Sequence, residues 1–384
     1  MRIAYCTNVR LPSERAHGHQ VAEVTNALAT LGHEVTILAP LRRNVVGADF
    51  WTYEGVLKTL KLQYIGRFDP IASPFLPGVL GLRWMNAVMR RGIRRLLLSA
   101  SFDLAYTRSP SLLSTMIDTG VPTILELHQL PRFGRSAFTA LCNRCALVVP
   151  LTQAMAGALR AWGVEPAKIM VEGDAVNLRK YASLPSKDIA RQSFNLRTDR
   201  TVVGYVGRLK TLGMEKGVET MLRSIAKDKR FFAFIVGGPD TDCRQYRSLA
   251  SSLGLGDHDV RFTGEIPASQ VPSALVACDI LAMPFPDLPH YRLHMSPLKM
   301  FEYMASGRPI VTSDLPTIRD VLSEETAVFC KPGDTDSVNQ ALAWIVDHPE
   351  ETAARAARAR SLVERYTWEE RMKRIVERMR GKRG

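Results

Sequence analysis

Basic residues directly after a glycine-terminated apolar run are the side chains here best suited to hold a polyphosphate. The segment Gly207-Arg-Leu-Lys-Thr-Leu-Gly-Met-Glu-Lys-Gly217 follows the apolar run Thr201–Val206. This predicts a strand with Arg208 at its C-terminal end and Lys216 just before a helix, a turn that collects positive charge and backbone N–H groups. Val236-Gly-Gly-Pro-Asp240 and Phe262-Thr-Gly-Glu-Ile266 are further glycine-softened strand ends. Gly207 and Gly238 would let a phosphate-bearing ligand approach the backbone without meeting a Cβ. A third segment, Met295-Ser-Pro-Leu-Lys-Met-Phe-Glu-Tyr-Met-Ala-Ser-Gly-Arg-Pro-Ile-Val311, reads as loop, helix, glycine stop and strand. It offers the Leu298 and Lys299 amides at a helix N-terminus, to which Pro297 adds none.

In the first half, His128 follows the apolar run Pro122–Leu127, at a strand end of the kind where α/β sites gather. Gly18 opens a helix, and Arg10, His17, His19 and Arg108 are the neighbouring polar candidates. Two D-x-D matches, Asp240-Thr-Asp242 and Asp334-Thr-Asp336, are rejected as sites for a divalent ion. The first follows a Gly-Gly-Pro turn, and the second has the form of a helix N-cap. Of 6 cysteines only Cys142 and Cys145 stand at C-x-x-C spacing, with no nearby histidine to complete a zinc site, so no metal and no cofactor is expected.

These candidates require alternating strands and helices to place them. In the first half, β-rich runs at 2–7, 33–40, 103–108, 122–128 and 146–152 alternate with helical stretches that include one near Leu82–Leu98. In the second, strands are expected at 201–207, 231–236, 260–263, 279–284, 308–312 and 326–330, with helices at Leu298–Ser306 and Asp334–His348. Strand, helix, strand in this order implies parallel sheets, so the fold class is α/β with two Rossmann-like, doubly wound domains facing a central cleft. The polar stretch 184–191 places the junction near residue 185: domain one is 1–185, domain two 186–366, and 367–384 is a terminal helix. Trp368, Met372, Ile375 and Met379 give that helix one apolar face, which needs a partner surface.

With 384 residues, 46% hydrophobic and 23% charged, the chain has the length for two cores and ordinary globular composition. No apolar run is long enough to span a bilayer, and Met1–Cys6 reads as a strand rather than a signal peptide, so a cytoplasmic location is expected. Net charge is +13, with five arginines and no acid in residues 83–95. Residues 371–384 add seven basic residues against one acid. Anionic partners follow, but basic stretches interleaved with aromatics are lacking and nucleic acid is not expected. Met85, Met89, Ile93 and Leu96 form a stripe opposite the arginines. That helix either packs the stripe on a sheet or lies on anionic lipid.

Taken together, Gly207–Gly217, Val236–Asp240 and Met295–Val311 resemble the nucleotide-sugar domain of GT-B glycosyltransferases, most closely the retaining family 4 (group 1). Pro12–Gln20, Gly32-His-Glu-Val35, Ala105–Pro110 and Leu125–Pro131 extend the resemblance over nearly the whole chain. It implies a hexosyltransferase that moves sugar from a nucleotide donor, a UDP-sugar first and a GDP-sugar next. The acceptor would be a hydroxyl on a lipid-linked or otherwise anionic molecule at the inner face of the cytoplasmic membrane. By resemblance, Arg208 and Lys216 hold the donor diphosphate, Glu302 grips the ribose, and His128 lies near the reaction centre. Gly18 lets substrate approach helix amides, Ser296, Leu298 and Lys299 line the donor, and the terminal helix crosses back to the first domain. One departure stands out: His294 occupies the position of the family's first glutamate, eight residues before Glu302. An imidazole there removes a sugar-hydroxyl acceptor and adds a group that can become cationic. A degenerate binding protein of this fold, or a nucleotide-sugar epimerase, remains open at this point.

Overall fold

The computed structural model of the chain describes residues 1–13, 16–44, 46–73, 78–196 and 199–381. It divides into two compact units, one formed by Met1–Gly173 with Trp368–Gly384 and the other by Asp174–Thr367.

In the first unit, the described residues form a six-stranded sheet of β1 (Arg2–Cys6), β2 (Glu34–Pro40), β3 (Lys61–Ile65), β4 (Leu104–Thr107), β5 (Thr123–Leu127) and β6 (Leu147–Pro150). Its order is β3-β2-β1-β4-β5-β6, and every pair is parallel. Strand β4 is buried along its whole length, as is β5, which is why both read as largely apolar runs, with Glu126 the one charged residue in β5. The sequence reading missed β3, an edge strand of composition Lys-Leu-Gln-Tyr-Ile with one buried residue. The Arg-rich helix spans Gly78–Ser99 and buries Met85, Met89, Ile93 and Leu97 against sheet residues that include Ala4, Leu38 and Ala105. Leu97 takes the place expected of Leu96. The stripe is therefore core, and Arg83, Arg90, Arg91, Arg94 and Arg95 are all exposed.

The second unit has β7 (Thr201–Val206), β8 (Lys210–Thr211), β9 (Met214–Glu215), β10 (Phe231–Val236), β11 (Val260–Gly264), β12 (Ile280–Met283), β13 (Ile310–Ser313) and β14 (Val328–Cys330). Its main sheet runs β11-β10-β7-β12-β13-β14, again all parallel, with an apolar cluster on each face. The β8–β9 hairpin replaces the direct strand-to-helix turn expected after Gly207.

The chain passes between units at Gly173–Asp174, before the polar stretch that suggested a junction near 185. That stretch instead holds a helix, Lys187–Ser193, whose Lys187 and Arg191 reach Asp279 at 3.0 and 2.5 Å. Polarity there reflects ion pairing on the second unit's surface. The terminal helix Trp368–Arg380 belongs to the first unit, where its apolar face meets the helix Ala16–Thr30. Among the described residues no helix is long and apolar enough to cross a membrane.

Candidate functional site

The donor-side candidates gather at the C-terminal ends of β7, β10, β11 and β12. Gly207 N–H donates to Val236 O (2.9 Å) and Gly237 N–H to Gly264 O (2.9 Å), lacing three neighbouring strand ends together. A Cβ on Gly237 would stand 2.1 Å from Gly207 O, so glycine is what allows this approach. Gly238 is hemmed only by the flexible Glu265 side chain, at 2.5 Å from an added Cβ.

Beyond Gly207 the chain makes the β8–β9 hairpin and returns through Lys216 to Gly217, which opens the helix Val218–Ala226. Gly217 has φ +93, and a Cβ there would lie 2.1 Å from Pro284 O at the end of β12. Its N–H donates to the Glu215 carboxylate at 2.5 Å, so the chain's own acid occupies an amide expected to face a phosphate. Arg208 is exposed and Lys216 half-buried. Burial first, then the Arg208 guanidinium, pull the Lys216 ammonium down to about 8.

The helix Leu298–Ser306 begins after Pro297, in extended conformation, so the Leu298 and Lys299 amides lie in the first turn, where no intrahelical acceptor exists. Seven of its nine residues are buried; Glu302 is half-exposed among buried neighbours on either side. A carboxylate left at the surface of so apolar a helix is placed to accept hydroxyl donors from outside. Lys299, predicted only as a backbone contact, is 6% exposed, with its Nζ 3.4 Å from the centroid of the Tyr205 ring. Ser296 Oγ accepts from Asp174 N–H at 2.7 Å, which makes it a tie to the entering chain.

His294 caps the short helix Pro289–Leu293, with its ring 5.8 Å from that of His290. Burial and then His290 lower its pKa to about 4, so it is neutral near pH 7 and supplies no cation. His290, which the sequence reading overlooked, is itself depressed by burial and by Lys216.

In the first unit, a cavity of about 430 Å³ lies beyond the ends of β1 and β4, lined by Asn8, Arg10, His17, Arg42, Arg108 and Ser109 among others. Arg10, His17 and Arg108 thus come together as expected, and Arg42 joins them from the end of β2. Arg42 is also bonded to Asp69, while Arg108 Nη1 is buried with no hydrogen-bond partner. Two expectations change. His19 pairs with Glu54 at 2.5 Å and does not line this cavity. The space beside Gly18 is filled by Ser13, whose Cβ would be 2.5 Å from an added Cβ, so this glycine serves chain packing rather than ligand approach.

His128 sits just past β5 on a buried network. Its Nε2 is 2.6 Å from Glu126 Oε1, the Gln20 amide donates to the same oxygen at 2.9 Å, and Tyr106 O–H donates to Oε2 at 2.5 Å. Arg371 of the terminal helix pairs with Glu126 at 2.9 Å, the two being 1% and 0% exposed. Burial is the largest single influence and raises the carboxyl's pKa, but the Arg371 guanidinium, the His128 hydrogen bond and Arg108 together hold it well below its usual range. An ionised carboxylate only accepts, so Nε2 carries the imidazole proton and Nδ1 is left as an acceptor. Burial and then Arg108 hold the imidazole neutral. Gln20 and Arg371 carried no sequence signal beyond the helical apolar pattern around them, and Tyr106 none beyond its strand, because partners 20 to 245 residues apart meet only in the fold.

The tempting acids have other partners. Asp242 lies 3.5 Å from Lys210, Asp334 caps Ser337 N–H at 2.9 Å, and Asp336 pairs with Lys227. Cys142 and Cys145 are buried, which pushes both thiols up to about 12 and leaves them unreactive.

Two family models match this chain: Glycosyltransferase Family 4 over residues 18–179 and Glycosyl transferases group 1 over residues 200–348. A phosphatidyl-myo-inositol mannosyltransferase of Mycolicibacterium smegmatis is 26% identical over 367 residues, covering 92% of this chain and 86% of that protein. A D-inositol 3-phosphate glycosyltransferase of Rhodococcus opacus is 28% identical over 234 residues, 58% of this chain and 50% of the relative. Among solved structures, HepE of Anabaena in complex with UDP and glucose has a TM-score of 0.74 at 18% identity, over 98% of each chain. Sucrose-phosphate synthase from Thermosynechococcus elongatus has a TM-score of 0.77 at 18% identity, covering 99% and 98%. At such identities the likeness is one of fold, and those neighbours are GT-B glycosyltransferases.

Proposed function

Because this chain belongs to the group 1, family 4 glycosyltransferases and is a glycosyltransferase, we propose that it transfers a hexosyl group from a nucleoside-diphosphate sugar to an acceptor hydroxyl. A UDP-sugar is the first donor and a GDP-sugar the next; the anomeric configuration is retained and no divalent metal takes part. The observation that carries this reading is the set of basic side chains, Arg208 and Lys216, at strand ends where Gly207 and Gly237 bring two backbones together. In the reaction, bond cleavage at the anomeric carbon leaves negative charge on the diphosphate. Arg208, Lys216 and the first-turn amides at Leu298 and Lys299 stabilise that charge, doing the work a metal does elsewhere. Glu302 accepts from the ribose hydroxyls, and neutral His294, where a glutamate is usual, changes how the donor sugar is held. The acceptor attacks the face from which the diphosphate departs, so positioning carries catalysis in place of an enzyme nucleophile.

The arginine-lined cavity of the first unit supports an anionic acceptor, with Arg10, Arg42 and Arg108 holding its charge and His128 near the reacting hydroxyl. The exposed arginines of Gly78–Ser99, with Leu80, Leu82 and Trp84 between 46% and 53% exposed, support contact with anionic lipid at the inner face of the cytoplasmic membrane. A thermal-shift panel of UDP, GDP, ADP and their sugar conjugates tests the donor reading. The expected result is stabilisation by one nucleotide that survives EDTA and is lost in Glu302→Ala. Stabilisation abolished by EDTA would overturn metal independence, and donor turnover without any acceptor would favour an epimerase.

A further inference from the structure

Lys299 is a buried lysine whose Nζ has no hydrogen-bond partner. An amine with three donors held out of water without an acceptor costs stability, and a sequence retains such a group cheaply only when something else satisfies it. Its surroundings are shaped for it. The Nζ lies over the Tyr205 ring, and the Tyr205 hydroxyl donates to Arg208 O at 2.8 Å, so the lysine and the Arg208 turn share one support. A Cβ on Gly207 would come within 3.3 Å of Lys299 Cε and 3.5 Å of Nζ, so the glycine keeps open the lane between this amine and the strand end. Lys216 acts on Lys299 by repulsion, and burial with that repulsion drives the amine well below its ordinary range. Glu302, one turn along, opposes the shift more weakly than those two causes.

We infer that the Lys299 side chain is a third ligand of the donor diphosphate, beside Arg208 and Lys216, an assignment that rests on the donor site proposed above. In the empty protein burial and repulsion from Lys216 disfavour the charged form of this amine. A diphosphate bearing two negative charges reverses that balance: Nζ takes a proton from solvent and donates to a phosphate oxygen as the donor binds. No covalent bond changes, and one proton moves from buffer to Nζ. A packing lysine would show no such proton.

The test is calorimetric titration of wild type and Lys299→Met with UDP-glucose and with GDP-mannose, near pH 7.5, in two buffers of different ionisation heat. Methionine keeps the stem over Tyr205 and removes the amine. Expected are an uptake of protons by wild type, a smaller uptake by the variant, and an affinity about 10- to 100-fold weaker. Unchanged affinity, or weaker binding with the wild-type proton uptake, overturns the assignment. If Lys299→Met does not fold, Lys299→Gln takes its place, and unchanged affinity in that variant likewise overturns the assignment. A wild-type protein that binds neither nucleotide sugar fails the donor reading itself, a result separate from any defect confined to the variant.

Discussion

At the scale of single residues, the site works through groups whose protonation burial has changed. Lys216, lowered to about 8, is charged at neutral pH and loses its ammonium as pH rises through that value. The charged form is the one that attracts a diphosphate, so donor affinity should be higher below about pH 8 and fall more steeply above it. Lys216→Arg keeps its charge across the range. The expected outcome of donor dissociation constants measured from pH 6.5 to 9.5 is therefore a break near 8 in wild type that disappears in this variant. A break that persists would assign it to another group. His294 illustrates how a residue type can mislead: imidazole suggested a new cation, but burial beside His290 leaves it neutral. Arg208 and Lys216 were legible as a basic pair beside a strand end that the pattern itself marks, and Glu302 only through the family resemblance. Lys299 was legible only as an amide, since nothing in a linear pattern tells whether a lysine beside a helix start points out or in.

At the scale of elements, the terminal helix does more than cover an apolar face. Arg371 enters the first unit beneath His128 and bonds Glu126, Gly173 O at 2.6 Å and Glu172 O at 3.3 Å. Arg374 grips the Glu172 carboxylate through two contacts of 2.7 Å. Removing one member of a buried pair strands the other as an uncompensated charge, which costs about 3–5 kcal/mol. Arg371→Met should therefore lower unfolding free energy in that range by denaturant titration. Combining it with Glu126→Gln should recover part of the loss, because a neutral amide needs no counter-charge. Additive losses would show that the pair is not coupled. The helix and its stripe were readable from spacing at Trp368, Met372, Ile375 and Met379, all buried as that face requires. The ion pair was not, because Glu126 lies inside an apolar run and Arg371 inside a basic one.

At the scale of the molecule, the charge excess is concentrated on particular surfaces. The helix Gly78–Ser99 packs one face on the core and leaves another exposed, and the proposed contact with anionic lipid rests on that exposed face. Met85, Met89, Ile93 and Leu97 are buried, while Val79, Leu80, Leu82 and Trp84 stand exposed with the arginines. Co-sedimentation should show the protein on vesicles containing phosphatidylglycerol and not on phosphatidylcholine alone. Binding should weaken as salt shortens the Debye length to about 8 Å at 0.15 M and below. A Trp84→Ser, Arg90→Glu, Arg94→Glu variant, altered only at exposed positions, should lose that binding and keep its thermal stability. Vesicle binding unchanged in the variant would place the contact elsewhere.

Apart from the edge strand β3 and the β8–β9 hairpin, the sequence by itself determined the alternation of strand and helix in both halves, both parallel sheets and the glycine-marked strand ends. These depend on local periodicity and on backbone approaches that only glycine permits, and both are written in neighbouring residues. It also placed Arg208 and Lys216 by those ends and Glu302 in the helix that follows Pro297. Tertiary structure decided what burial and distant partners do to them. It moved the crossing between units to Gly173–Asp174, returned the chain through the β8–β9 hairpin, set Glu126 under Arg371 and turned His19 to Glu54. Each of those outcomes depends on which residues far apart in the chain meet out of water, where a charge must find its counterpart or give up its proton.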